Sequence, residues 1–264
     1  MRFCRFQLND VATYGLIESI GGHDTISRVM ADLPTAPSDF DRGEPFGLIL
    51  ASAHLLAPVT PSKIVCIGRN YRDHAKELNH PIPSEPLIFL KPPSAILAPG
   101  AAILRPTSLS QRVDHEGELG VVIGKRARHV KAPDAPSFIL GYTCVNDVSA
   151  RDFQRKDVQW TRGKGFDTFC AVGPCIIPRE EVDFDSLRVR AFLNGEKKQD
   201  ASVKQMLFDV NAIIEYVSAF MTLEPGDLIA TGTPSGVGPL QPGSNIRIEI
   251  EGIGVLENTA IAEG

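Results

Sequence analysis

Short apolar runs alternate with turn residues along most of this chain, and three stretches depart from that rhythm. MRFCRFQL (1–8) and TYGLIES (13–19) alternate apolar and polar positions, the period of half-buried strands. DTISRVMADL (24–33) spaces its apolar residues three and four apart and predicts a helix capped by Asp24 or Thr25. KIVCIG, LIFLKP, GELGVVIG and SFILGYTCV are apolar runs short enough for buried strands. RNYRDHAKELN (69–79) is polar with helical spacing, and PIPSEP ends it. The strongest helix signal is MLFDVNAIIEYVSAFMTL, where Ile213, Ile214, Val217, Phe220 and Met221 recur along one face. DLIATGTPSGVGPL reads as a strand entering a glycine-rich turn, and NIRIEIEGIGVLENTAI as two strands.

These elements predict an α+β chain, predominantly β, in two parts. Residues 1–58 form a small N-terminal α/β module, and 59–264 the main domain. The stretch LLAPVTPSK (55–63), punctuated by two prolines, joins them. The 264 residues contain 23 glycines and 20 prolines, roughly one residue in six, which favours a turn-rich β chain over a helical bundle. A formal net charge of -5 argues against a nucleic-acid partner, because such proteins usually carry a basic face. The five cysteines are odd in number and include no C-x-x-C, so neither a disulfide framework nor a zinc site is expected. The start MRFCRFQLND lacks a signal-peptide apolar region, and no run is long enough to span a membrane. The expected compartment is the cytoplasm.

The candidate chemistry begins at VDHEGELGVVIG (113–124). On a strand over 116–123, Glu116 and Glu118 point to one face. Two carboxylates that close repel unless a proton or cation lies between them. Asp147 also stands where an apolar run emerges, after GYTCV. Three carboxylates at the ends of buried strands make an all-oxygen site suited to Mg²⁺ or Mn²⁺. His115 is expected on the opposite strand face, which leaves no nitrogen ligand for zinc.

Other groups are open locally. His74 and Glu77 share a helix face and suit a general-base dyad, although nothing in the spacing alone favours that over a solvated surface helix. Lys164, between Gly163 and Gly165, can approach a substrate carboxylate or enolate. TGTPSGVG (231–238) offers backbone N–H groups as an oxyanion cradle, or is a plain turn. There is no G-x-S-x-G, no G-x-G-x-x-G and no H-E-x-x-H.

In order along the chain stand IGRNYRDHAKE, EPLIFLKP, HEGELGVVIG, NDVSARDFQ, GKGFDTFCAVGP and ATGTPSGVG. This series resembles the fumarylacetoacetate hydrolase family over 63–264, and the N-terminal part resembles the small domain of many bacterial members. The resemblance implies a multi-layer mixed β-roll and a homodimer. It implies that Glu116, Glu118 and Asp147 hold the metal and that Lys164 stands beside it. It also implies that His74 and Glu77 form a dyad on a lid that closes over substrate. Arg151, Gln154 and Thr233 match residues near the substrate. The activity expected first is metal-dependent C–C hydrolysis of a 2,4-diketo acid of the acylpyruvate or fumarylpyruvate type. The alternatives, on the same metal centre, come partly from aromatic catabolism. They are 2-hydroxyhepta-2,4-diene-1,7-dioate isomerisation, 5-oxopent-3-ene-1,2,5-tricarboxylate decarboxylation and oxaloacetate decarboxylation. A different class is a catalytically silent metabolite-binding protein. For the distal end of the substrate, Arg69, Arg72 and Arg162 are candidates, because Arg pairs bidentately with carboxylates.

Overall fold

A computed structural model describes residues 1–263, the side chain of residue 37 excepted. The chain opens with β1 (Arg2–Leu8), β2 (Val11–Ile20), β3 (His23–Met30) and β4 (Glu44–Ile49). Two-residue turns join the first three strands. Asn9 and Asp10, then Gly21 and Gly22, all have positive φ, the geometry that matches the right-handed twist of paired strands. The helix expected over DTISRVMADL is therefore corrected to β3. Its Ile26, Val29 and Met30 imitate helical spacing, but the Gly21–Gly22 turn folds the segment back onto β2, Ile20 opposite His23. Its β-branched Thr25, Ile26 and Val29 suit a pleated surface. The N-terminal segment consequently holds strands and 3₁₀ turns where the sequence suggested an α/β module.

Next come β5 (Ile64–Gly68), α1 (Arg72–Glu77), β6 (Leu87–Lys91) and β7 (Ala102–Arg105). The central segment is β8 (Val113–His115), β9 (Gly117–Ile123), β10 (Ile139–Asp147), α2 (Arg151–Lys156), α3 (Thr161–Lys164) and β11 (Cys170–Pro178). The chain ends with β12 (Arg188–Leu193), β13 (Glu196–Ser202), α4 (Val210–Phe220), β14 (Leu228–Ala230), β15 (Asn245–Ile250) and β16 (Gly254–Ala262).

A twelve-stranded mixed sheet runs β4-β3-β2-β1-β11-β10-β9-β14-β5-β6, with two short strands off this path. β1 joins the N-terminal strands to the rest through β11, Phe3 opposite Ile176. A five-stranded sheet, β13-β12-β15-β16-β7, packs beside it. Every residue of β9 and β10 is buried, which explains their near-continuous apolar sequences. α4 starts at Asp209, whose side chain accepts from Ala212 N–H, and buries Ile213, Ile214 and Val217. All five cysteines are free and buried. No helix among the described residues is long and apolar enough to cross a membrane.

Candidate metal centre and active site

The strand ends that the sequence singled out converge. Asp147 is the last residue of β10, and its N–H donates to Glu116 O at 2.8 Å. Glu116 itself stands between β8 and β9, so the strand begins one residue later than expected. Gly117 separates the acids because a Cβ there would lie 3.0 Å from Ile248 Cδ1 and 3.1 Å from Gln199 Oε1 in the second sheet. One carboxylate oxygen each from Glu116, Glu118 and Asp147 lies within 4.8 Å of the others, and all three residues are buried.

Their cationic partners are unequal. Lys164 Nζ bridges Glu116 Oε2 and Asp147 Oδ2, both at 2.7 Å. Arg151 lies 2.6 Å from Glu116 Oε1. Lys91 Nζ donates to Asp147 Oδ1 at 2.5 Å and to Val148 O at 3.1 Å. Glu118 receives only the Gly232 N–H, at 2.7 Å, and has no cationic partner among the described residues. Burial opposes ionisation of Glu116, but Lys164 and Arg151 outweigh it and hold that carboxyl far below the usual range. Burial, Asp147 and Glu116 all push Glu118 well above that range. Burial works against a charged Lys164, yet Asp147 and Glu116 prevail and keep it an ammonium. Three convergent oxygen donors, one of them short of a counter-charge, fit a hard divalent cation.

The glycines around Lys164 serve packing rather than ligand approach. A Cβ on Gly163 would meet Gln154 N at 2.9 Å, and one on Gly165 would meet Thr161 O at 2.6 Å. They let α3 lie against α2 and carry Lys164 into the core. The glycine-rich turn is likewise spent on the protein's own acids. Gly232 N–H holds Glu118, and Gly236 N–H donates to Glu77 Oε1 at 2.9 Å. Thr233 Oγ1 donates to Gly117 O and accepts from Gln199 Nε2, both at 2.8 Å.

α1 closes over these groups. His74 is buried, and its Nδ1 lies 3.1 Å from Glu77 Oε2. Burial disfavours an ionised Glu77, but the bonds from His74 and Gly236 outweigh it and lower its pKa. A carboxylate only accepts, so Nδ1 carries the hydrogen and the Nε2 lone pair is left open. His74, Glu116, Glu118, Asp147, Arg151, Gln154, Lys164 and Thr233 line one pocket. With α1 seated, its cavity measures about 30 Å³, space for a water or two. His115 does not line it: burial lowers its pKa to about 4, and its Nε2 faces Gly238.

Arg151 is committed to the protein. Its Nε donates to Asp114 Oδ2 at 2.9 Å and its Nη1 to Gln154 Oε1 at 2.8 Å. Lys91, Asp114 and Gln199 escaped the sequence reading. Lys91 had a signal, since it ends an apolar strand as Asp147 does; the others stand among polar neighbours and had none. Of the three distal arginines, only Arg69 lines the pocket. Arg72 is exposed on α1, and Arg162 is paired with Asp157.

Comparison with known proteins agrees with this geometry. The fumarylacetoacetate hydrolase C-terminal family matches residues 63–261. The 2-hydroxyhepta-2,4-diene-1,7-dioate isomerase structure from Mycobacterium marinum is 44% identical with a TM-score of 0.88, covering 100% of this chain and 99% of that one. The mitochondrial oxaloacetate tautomerase FAHD2A of Bos taurus is 47% identical over 217 residues, 78% of this chain and 69% of the relative. Maleylpyruvate hydrolase from Sphingobium sp. SYK-6, solved with manganese(II) and pyruvate, is 31% identical with a TM-score of 0.81 and full coverage of both chains. This chain is a member of the fumarylacetoacetate hydrolase family.

Proposed function

We propose that this protein is a divalent-metal-dependent enzyme that moves a proton at carbon 3 of a 2-keto acid, interconverting keto and enol forms or shifting an adjacent double bond. The observation that carries it is His74, its Nδ1 fixed by Glu77, closed into one pocket with three convergent carboxylates. Glu116, Glu118 and Asp147 would hold Mg²⁺ or Mn²⁺, which when bound polarises the 2-keto oxygen as a Lewis acid. His74 Nε2 takes the carbon-3 proton and delivers it to the 2-oxygen, giving the enol, or to carbon 5, shifting the double bond, while Glu77 stabilises the imidazolium that forms between the two steps. Lys164 adds a fixed positive charge beside the developing negative one. The seated α1 excludes water, which suppresses side reactions of the enol.

C–C hydrolysis asks for more. Attack of water at carbon 4 creates a second oxyanion, which needs its own donors. Arg151, Thr233 and the Gly232 and Gly236 N–H groups already bond to the protein's own atoms. Hydrolysis stands as the second reading because Arg69 keeps its guanidinium free of any carboxylate partner among the described residues. The isomerase and tautomerase relatives at 44% and 47% identity also support the proton shift over hydrolases at 36% and 31%.

The test follows ketonisation of enol-oxaloacetate and pyruvate release from acetylpyruvate with the same Mn²⁺-loaded protein. Fast ketonisation with negligible pyruvate release is expected. Pyruvate release as the dominant turnover would replace this reading with the hydrolytic one.

A further inference from the structure

Beyond the acids, His74, Lys164 and the already bonded Arg151, Gln154 and Thr233, the pocket wall is built from Ile67, Gly68, Arg69, Leu78, His80, Phe89 and Trp160. It contains no carboxylate. Arg69 follows β5 with φ 57°, a left-handed conformation that costs energy for a non-glycine residue. The next residue enforces it. Asn70 Nδ2 donates to Phe208 O at 3.0 Å and to Thr231 O at 2.8 Å, and Phe208 N–H donates back to Asn70 Oδ1 at 2.9 Å. Gly68 clears space for Trp160, since a Cβ there would sit 2.8 Å from the indole Cζ3. The Arg69 guanidinium rests over that indole, 5.6 Å from the ring centroid. A strained backbone, a locked asparagine and an aromatic platform thus present one cation to the pocket.

The pocket's other arginine, Arg151, is neutralised by Asp114 and Glu116. Arg69 has no carboxylate or hydrogen-bond partner among the described residues, and burial draws its pKa down where carboxylates raise that of Arg151. Resting on the 2-keto acid reading, we infer that Arg69 is the specificity-determining residue of this pocket, the group that grips the distal carboxylate of the substrate. A 2-keto acid held at the acidic floor directs its remaining carbons along this wall. A guanidinium on an indole, with no internal anion, suits a bidentate carboxylate.

The experiment compares wild type with Arg69→Asn, a residue that tolerates positive φ, and with Arg69→Lys. Two probe pairs differ only in the distal charge: oxaloacetate against its 4-methyl ester for turnover, and N-oxalylglycine against its distal methyl ester for calorimetric binding to Mn²⁺-loaded protein. Wild type should prefer each diacid, and Arg69→Asn should cut the diacid-to-ester ratio about 30-fold, the scale of one charge-assisted pair. Arg69→Lys should fall between, having charge without the planar fork. Equal wild-type affinity for N-oxalylglycine and its ester, or an unchanged ratio in Arg69→Asn, overturns the inference. The binding arm decides it even if neither keto acid is turned over, a result that would count against the proton-transfer reading alone. Unchanged melting temperatures separate loss of recognition from loss of fold.

Discussion

Lys91 Nζ and Asp147 Oδ1 stand 2.5 Å apart, both side chains fully buried. With Lys164 on the other oxygen, Asp147 is held between two ammonium groups. Removing one of these two buried partners leaves the carboxylate under-compensated, so Lys91→Met should destabilise the metal-free protein by about 1–3 kcal/mol. Saturating Mn²⁺ supplies positive charge to the same carboxylates and should narrow that difference. Urea unfolding with and without Mn²⁺ measures both values; equal stability of variant and wild type without metal would contradict the pairing.

Glu118 is the acid with a backbone N–H and two neighbouring carboxylates but no cation. Neutralising it relieves repulsion and removes a ligand together. In thermal melts, Glu118→Gln without metal should be at least as stable as wild type. Added Mn²⁺ should raise the midpoint of wild type only. A variant that still gains stability from Mn²⁺ would show that Glu118 is not a ligand.

α1 carries a pH signature through Glu77. Its ordinary value is 4.5, and its folded value is lower. A depressed carboxyl contributes its full stability above the unfolded value and loses it as pH falls through the folded one. Glu77 links α1 to His74 and, through Gly236, to the turn beside Glu118. Hydrogen-exchange protection of residues 72–78 should therefore hold from neutral pH to about 4.5 and decline below it. Glu77→Gln should show less protection at neutral pH and no such decline. Identical profiles would mean that Glu77 does not tie down α1.

The clustering of Glu116, Glu118 and Asp147 was legible because an acid that ends a fully apolar run has few reasons to be there. The His74–Glu77 pair was visible but undecided, since the two look like any polar helix until α1 is seated over the acids. Lys91 was missed because a lysine at a strand end ordinarily reaches water, and its partner lies 56 residues away. The glycine-rich turn stood open between an oxyanion cradle and a plain turn, and Gly232 and Gly236 face Glu118 and Glu77; which way an N–H points depends on tertiary context. β3 failed as a helix because its spacing was weighed above the Gly21–Gly22 turn before it.

The central claim is that His74 moves a carbon-3 proton. Its most direct measurement is the incorporation of solvent deuterium at carbon 3 of a 2-keto acid, followed by proton NMR in D₂O with Mn²⁺-loaded protein. Wild type should exchange the position far faster than buffer containing Mn²⁺ alone. His74→Asn should lose about 10²–10⁴-fold of that rate, the usual contribution of a general base, while still gaining thermal stability from Mn²⁺. Exchange at the wild-type rate in His74→Asn, with the metal still bound, would contradict the account.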